Sequence, residues 1–306
     1  MTAPTQAQFQ RTFYRWGGDS RLGNGAGPGL WPVSSSLASR AALRSWHRRI
    51  EPWLRTAPGN APAPNHFYGA FGSEAIMIRR EQTADPESAT AQLLIGPAEF
   101  LTPADALELR DWQWRPASRS TGLAPLDLAR LDVHRSDLRA RAGSAPVAKR
   151  LGPLLSQALA GPAAVLSPLS QYAEPLLWGI QEIIVVLFEG LTEEQRWPLS
   201  FVTHDDRPRS QEQPGLFIRF RDDAPRVTAH PVYGALAGRL VTEYVRHGIN
   251  GLRALTAEPA LQSLGPQARI DLLLHQLSGE PVPRRPSTPG ERVTPTETSR
   301  TPTGGG

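Results

Sequence analysis

One stretch of the sequence gathers residue types that could carry out acid–base or metal chemistry. Thr203, His204, Asp205 and Asp206 directly follow residues 198–202, an apolar run that predicts a strand. Functional side chains often lie at the carboxyl end of such a strand, and a histidine beside carboxylates could bind a metal ion or act as a general base. However, a metal site needs three or more ligands, and the other histidines are scattered singly. A polar turn is the simpler interpretation, and we predict no metal site.

A glycine-rich run follows the first predicted strand, where a dinucleotide-binding loop would stand. It reads Gly-Asn-Gly-Ala-Gly-Pro-Gly over residues 23–29. Such a loop must open a helix, because the N–H groups at the helix amino terminus hold the pyrophosphate. Here the glycines lead into residues 30–33, Leu-Trp-Pro-Val, which predict a strand. We therefore interpret the run as a hairpin loop and expect no cofactor.

Other catalytic signatures are missing from the sequence. The chain has no cysteine, which excludes disulfides and thiolate chemistry. The single lysine, Lys149, has no glycine-rich run ahead of it, so there is no Walker A loop. Neither a Gly-x-Ser-x-Gly elbow nor a His-Glu-x-x-His motif occurs. We predict no catalytic residues, and an enzyme is the less favoured interpretation.

Arginine and tryptophan are the residue types that could serve recognition. Arg40, Arg44 and Arg48 recur one turn apart on the helix predicted from residue 39 to about residue 55. A solvated basic face is the simplest explanation, although arginine can also bind phosphate or carboxylate in a fork. Trp112 could rim an interface, where tryptophan is enriched. The candidate positions for a partner interface are Trp31, Arg44, Arg48 and Trp112.

The order of the predicted strands and helices, which must position these residues, indicates an α/β fold. Strand and helix patterns alternate, which indicates two α/β halves with mixed sheets flanked by helices, and mixed α+β stays open. We predict an amino-terminal α+β domain over residues 1–115 and a connecting segment over 116–145. An α/β domain is expected over 146–279. Residues 280–306 are rich in Pro, Thr and Gly and predict a disordered tail.

Three helices carry most of the apolar pattern. The first has Ser39 as its N-cap, and its stripe consists of Leu43, Trp46, Ile50, Trp53 and Leu54. The second spans residues 176–191 and is apolar even off its stripe, as at Val185, which predicts burial on most sides. The third is expected over residues 232–245 and should end at Gly248.

The composition is that of an ordinary globular protein, with 40% hydrophobic and 20% charged residues. A net charge of +4 is modest for 306 residues and argues against nucleic acid as the partner. The first ten residues lack the basic-then-apolar order of a signal peptide. The most apolar helix is too short to span a bilayer and contains Gln181 and Glu182. The sequence therefore predicts a cytoplasmic protein without membrane insertion.

Two stretches of the chain carry a resemblance to a known family. The first is Phe-Tyr-Arg-Trp-Gly-Gly at residues 13–18 with Gly-Leu-Trp-Pro-Val-Ser at 29–34. The second is the apolar helix 176–191, its connection at 192–196, and Leu-Ser-Phe-Val-Thr at 199–203. Together they resemble the GTPase-associated proteins of bacterial NTP-dependent conflict operons, although the longer carboxy-terminal extension of that family is missing. The resemblance implies an adaptor encoded beside a GTPase or similar NTPase, and it implies no catalytic residues.

The favoured hypothesis is a non-catalytic adaptor or regulatory subunit that binds a partner GTPase or other NTPase in a bacterial conflict or stress-response system. Two alternatives stay open. One is a metal-dependent hydrolase that uses His204 and Asp205. The other is a nucleic-acid-binding protein that uses the arginine face.

Overall fold

The computed structural model describes residues 8–17, 29–54, 65–81, 88–109, 124–125, 128–192, 195–205 and 215–278. The fold is mixed α/β, as predicted. The strands are β1 (Gln8–Trp16), β2 (Leu30–Ser35), β3 (Asn65–Phe71), β4 (Glu74–Glu81), β5 (Thr90–Pro97), β6 (Ala124–Pro125), β7 (Ala164–Ser167), β8 (Leu199–Val202) and β9 (Leu216–Phe220). The helices are α1 (Arg40–Leu54), α2 (Pro103–Glu108), α3 (Leu128–Ala142), α4 (Ala145–Leu159), α5 (Ala173–Leu187), α6 (Gly234–Thr256), α7 (Pro259–Gln262) and α8 (Pro266–Ser278).

The strands form one mixed sheet in the order β2-β1-β5-β4-β3-β8-β9-β7, with β6 paired to β1. Strands β1 to β5 pair antiparallel, whereas β8, β9 and β7 run parallel to one another. The two parts join where β3 meets β8, through the pairs Phe67 with Val202 and Tyr68 with Phe201. The two regions expected to carry a sheet each therefore share one sheet. The joining strand is β8, which pairs with β3 on one side and with β9 on the other.

The two faces of the sheet are covered unequally. On one face lies α1, whose Trp53 stacks on Phe67 at 4.2 Å between ring centroids and meets Phe217 edge-on at 5.4 Å. On the other face the core is shared by the remaining long helices, with α5 in contact with α3, α4, α6 and α8. The central position of α5 explains why its pattern is apolar beyond a single stripe.

The predicted start of α1 is confirmed by its cap. The Ser39 hydroxyl accepts a hydrogen bond from the Ala42 amide at 3.1 Å. Thr102 and Asp105 form a reciprocal capping box at the start of α2. The predicted apolar stripe of α1 is buried from Leu43 to Leu54, and His47 is buried beside it.

Two local expectations differ from the structure. The predicted connecting segment holds the whole of α3 and the start of α4, because the weak apolar spacing of α3 gave no clear signal for a helix of that length. The 232–245 helix does not end at Gly248. Instead α6 bends there, at φ 60° and ψ −150°, a conformation open to glycine, and continues to Thr256.

Strands β1 and β2, which flank the glycine-rich run, pair antiparallel as a hairpin requires. Trp16 pairs with Leu30, and the Gly17 amide donates to the Gly29 carbonyl at 3.0 Å. Residues 18–28, and the tail from residue 279, lie outside the described residues. No helix in the described ranges is long and apolar enough to cross a bilayer.

Candidate functional site

One end of the sheet gathers most of the polar residues that the sequence singled out, and we call it the polar end. Strands β8 and β9 finish there, and so does β4, while β3 begins there. The carboxyl ends of parallel strands are the usual place for a ligand in an open α/β sheet. The buried polar residues of the polar end are Asn65, His66, Arg80, Thr203, His204, Asp205 and Arg219.

The side chain of Asp205 forms a charge-assisted pair with Arg219 in the interior. Its side chain is fully buried, and its Oδ2 accepts hydrogen bonds from Arg219 Nε at 2.8 Å and from the terminal guanidinium nitrogen at 2.7 Å. The Asp205 amide also donates to the Phe220 carbonyl at 2.7 Å. This carboxylate joins β9 to the segment after β8, and that geometry does not favour it as a metal ligand or a base.

His204 lies beside a different carboxylate from the one the sequence suggested. Its Nδ1 is 3.8 Å from Asp222 Oδ2, and this buried nitrogen has no hydrogen-bond partner among the described residues. The Ser170 hydroxyl bonds to the other oxygen of Asp222. Asp206 lies outside the described residues. The described part of the chain holds no group of three His, Asp or Glu side chains that could bind a metal ion.

Arg80 ties three elements together at the polar end. Its Nε donates to Asn65 Oδ1 at 2.6 Å, and its two terminal nitrogens donate to the carbonyls of Trp53 at 3.2 Å and His204 at 2.9 Å. The side chain is 2% exposed, so the charge is satisfied by protein atoms instead of water. Arg80 thus fixes the end of α1 and the start of the His204 segment relative to β3 and β4.

His66 and Thr203 complete this junction. The Thr203 hydroxyl accepts a hydrogen bond from the His66 amide at 2.8 Å, and the Thr203 amide donates to the His66 carbonyl at 2.9 Å. His66 Nδ1 lies 3.8 Å from Glu174 Oε1. These contacts extend the β3–β8 pairing beyond the two strands, which is a structural role.

The candidate interface residues do not come together at one place. Trp31 is buried and stacks on His47 at 5.2 Å, and His47 in turn stacks on Tyr14 at 5.8 Å, so Trp31 is part of the core. Arg48 is exposed on α1, whereas Arg44 is half-buried and its Nε donates to the Arg40 carbonyl at 3.3 Å. Trp112 lies outside the described residues.

A second buried carboxylate holds the helical layer together. Glu182 on α5 accepts hydrogen bonds from Arg139 on α3 and from the Tyr244 hydroxyl on α6, the latter at 2.5 Å. Burial and the hydrogen bond to Glu182 raise the pKa of Tyr244 well above its ordinary value. The bond to Glu182 likewise raises the pKa of Arg139. A carboxylate with two such partners joins helices and is not free for chemistry.

The opposite end of the sheet contains an open groove, which we call the α5 groove. It lies where β3 runs on past its short pairing with β8, and its volume is about 410 Å³. Most of its lining is apolar, including Val185 of α5, Phe188 just after that helix, and Trp197 before β8. Its polar lining includes Gln181 and Arg196, and no aspartate or glutamate is found among the lining residues that the structure describes.

Val185 is the signal that could have revealed this groove from the sequence. The pattern predicted burial of α5 on most sides, and twelve of its residues are buried. Val185 is instead 48% exposed, at a position off the main apolar stripe. An exposed valine on the central helix of a layer marks a place where the core opens to solvent.

No family model, no curated protein and no solved structure matches this chain.

Proposed function

We propose that this protein is a non-catalytic adaptor that binds a partner protein. One observation carries the proposal: the carboxylate of Asp205, which follows the candidate base His204, forms a buried ion pair with Arg219. A catalytic carboxylate must reach substrate, metal or a base, and a fully buried ion pair reaches none of them. Asp205, one of the candidate residues for catalysis, therefore serves to hold the sheet together.

Three other buried charged groups support the same proposal. Arg80, Glu182 and Glu108 all have protein partners, the last of them in a two-pronged contact with Arg135 at 2.5 and 3.0 Å. Buried charges arranged in this way join one element to another. A scaffold that presents surfaces needs this rigidity, whereas a catalytic centre needs at least one group left available.

Surfaces suited to a partner lie away from the polar end. The α5 groove offers an open apolar recess, and Val185 is exposed within it. Arg40 and Arg48 are exposed on α1, on the other face of the sheet. Apolar recesses and arginines are features that recur at protein interfaces. The class of partner, a GTPase or other NTPase of a bacterial conflict or stress-response system, comes from the family resemblance.

Affinity capture of the full chain tests the proposal. We expect the tagged protein to retain an NTPase encoded by a neighbouring gene, with GTP, ATP or no nucleotide in the buffer. Purification as a lone monomer under all three conditions would contradict an adaptor role. Mass spectrometry of the eluate identifies the partner.

Elemental analysis of the same preparation addresses the hydrolase alternative. We expect no stoichiometric metal, since His204 faces one carboxylate, Asp222, and no third metal-binding side chain among the described residues. A bound metal that disappears in His204→Ala would favour the hydrolase over the adaptor.

A further inference from the structure

We propose that the α5 groove binds the carboxyl terminus of a partner polypeptide whose last residue has a large apolar side chain. The inference rests on the proposed adaptor function and specifies the chemistry of what the adaptor recognises. Two features of the groove carry it: an apolar recess, and an arginine with no acidic residue among the described residues of the lining.

The apolar recess accounts for the side chain. A volume of about 410 Å³ lies within the range of pockets that bury a small ligand. Ile184, Val185 and Phe188 present one wall from α5, and Trp197 and Leu199 present another from the start of β8. Water in such a recess is displaced favourably by a leucine or phenylalanine side chain. Val185 would then be covered by the incoming residue.

The charge of the groove accounts for the terminal carboxylate. Arg196 is the single charged residue among the described residues of the lining, and a guanidinium binds a carboxylate through two parallel hydrogen bonds. A second cation, Arg269, lies near Arg196. The pKa of Arg269 is lowered mainly by burial and also by the charge of Arg196. Arg269 itself is engaged with backbone carbonyls, including those of Leu187 and Glu189, and does not compete for an anion.

The proposed adaptor role accounts for a peptide in place of a simple apolar acid. The last residue of a polypeptide carries a side chain and a carboxylate on the same Cα. These two groups match the apolar recess and Arg196.

Peptide binding to the full-length protein tests this directly. The probe is a fluorescein-labelled octapeptide mixture of random sequence that ends in phenylalanine or leucine, prepared as the free acid and as the amide. Fluorescence anisotropy should show saturable binding of the free acid and about tenfold or weaker binding of the amide, the loss expected for one charge-assisted contact. Equal binding of acid and amide, or binding of neither, overturns the proposal.

Variants locate the site within the molecule. Val185→Asp and Val185→Arg should abolish binding, while Val245→Asp should leave it unchanged, since Val245 is similarly exposed on α6 and does not line the groove. Arg196→Glu should remove the preference for the acid, and Arg226→Glu, at another exposed position, should retain it. Circular dichroism confirms that each variant is folded. Equal binding by the Val185 and Val245 variants contradicts the assignment.

Two acidic residues sharpen the arginine test. Glu193 and Glu194 stand just before Arg196 in the sequence and lie outside the described residues. The double variant Glu193→Gln, Glu194→Gln should bind the free acid at least as tightly as the natural protein. Weaker binding would show that the anion is recognised elsewhere.

The outcome also separates this inference from the adaptor proposal. A partner that is captured equally by the natural protein and by Val185→Asp leaves the adaptor role in place and removes the groove from it. If the protein binds the free-acid peptides but captures no partner, the groove recognises carboxyl termini and the proposed NTPase-adaptor role is wrong.

Discussion

The two ends of the sheet differ in which side chains are buried and which are exposed. At the polar end, Asp205, Arg219 and Arg80 are buried and their charges are met by protein atoms. At the α5 groove, Val185 is exposed, and the described lining contains Arg196 and no acidic residue. The comparison indicates that buried polar groups join elements of the fold at one end of the sheet, whereas apolar surface stays uncovered at the other, the end at which we propose recognition.

The largest effect should come from breaking the polar end. Asp205→Ala leaves the Arg219 guanidinium buried without its carboxylate, which should lower the free energy of unfolding by about 3–5 kcal/mol. Urea titration measures the loss. Asp223→Ala is the matched control, because it removes the exposed partner of Arg221 and should change nothing measurable. Similar values for the two variants would mean that the polar end is not closed to water.

The next effect should come from the entry to β9, beside the groove. Gly215 has φ +82°, and a Cβ there would lie 2.3 Å from the Pro198 carbonyl oxygen. Gly215→Ala should therefore cost about 3 kcal/mol and should also weaken peptide binding, since Pro198 lines the groove. Gly152→Ala is the control in α4, where a Cβ meets nothing within 4 Å, and it should stabilise by about 0.5–1 kcal/mol.

A smaller effect is expected in the helical layer behind the groove. Tyr244→Phe removes the hydrogen bond to Glu182 and should lower the free energy of unfolding by about 2 kcal/mol, as for hydrogen bonds to charged groups. Peptide binding should be unaffected because Tyr244 does not line the groove. A change in peptide affinity without a change in stability would contradict this separation.

The smallest effect at neutral pH should come from Tyr14→Phe. The Tyr14 hydroxyl is buried with no hydrogen-bond partner in the described ranges, so its removal should raise the free energy of unfolding by about 1 kcal/mol. Burial raises the pKa of Tyr14 well above its ordinary value. Above about pH 10 the unfolded chain ionises this phenol and the folded chain does not, so stability falls as pH rises. In Tyr14→Phe the alkaline loss should be smaller, and urea titrations at pH 8 and pH 11 measure it.

Local sequence signals predicted α1 well. Ser39 and the spacing from Leu43 to Leu54 mark an amphipathic helix with its cap. These signals involve residues three or four positions apart, so no tertiary information is needed. The pairing of β1 with β2 was also predicted from local sequence, because the glycine-rich run leads into a strand and not into a helix.

The partners at the polar end could not be predicted, because they depend on strand register. Asp205 meets Arg219, and His204 meets Asp222, only because β8 lies parallel to β9 with Val202 opposite Arg219. A sequence without an alignment carries no signal for that register. Adjacency in sequence instead suggested that His204 and Asp205 act together, whereas the chain turns their side chains toward different partners.

The pairing of β3 with β8 has a consequence for synthesis on the ribosome. Phe67 and Val202 lie far apart in the chain, so β3 leaves the exit tunnel long before its neighbour does. Until then its free edge can pair with any other nascent chain that presents an open strand. Fragments that stop before residue 199 should therefore accumulate as aggregates, and the complete chain should depend on chaperones that shield strand edges during translation.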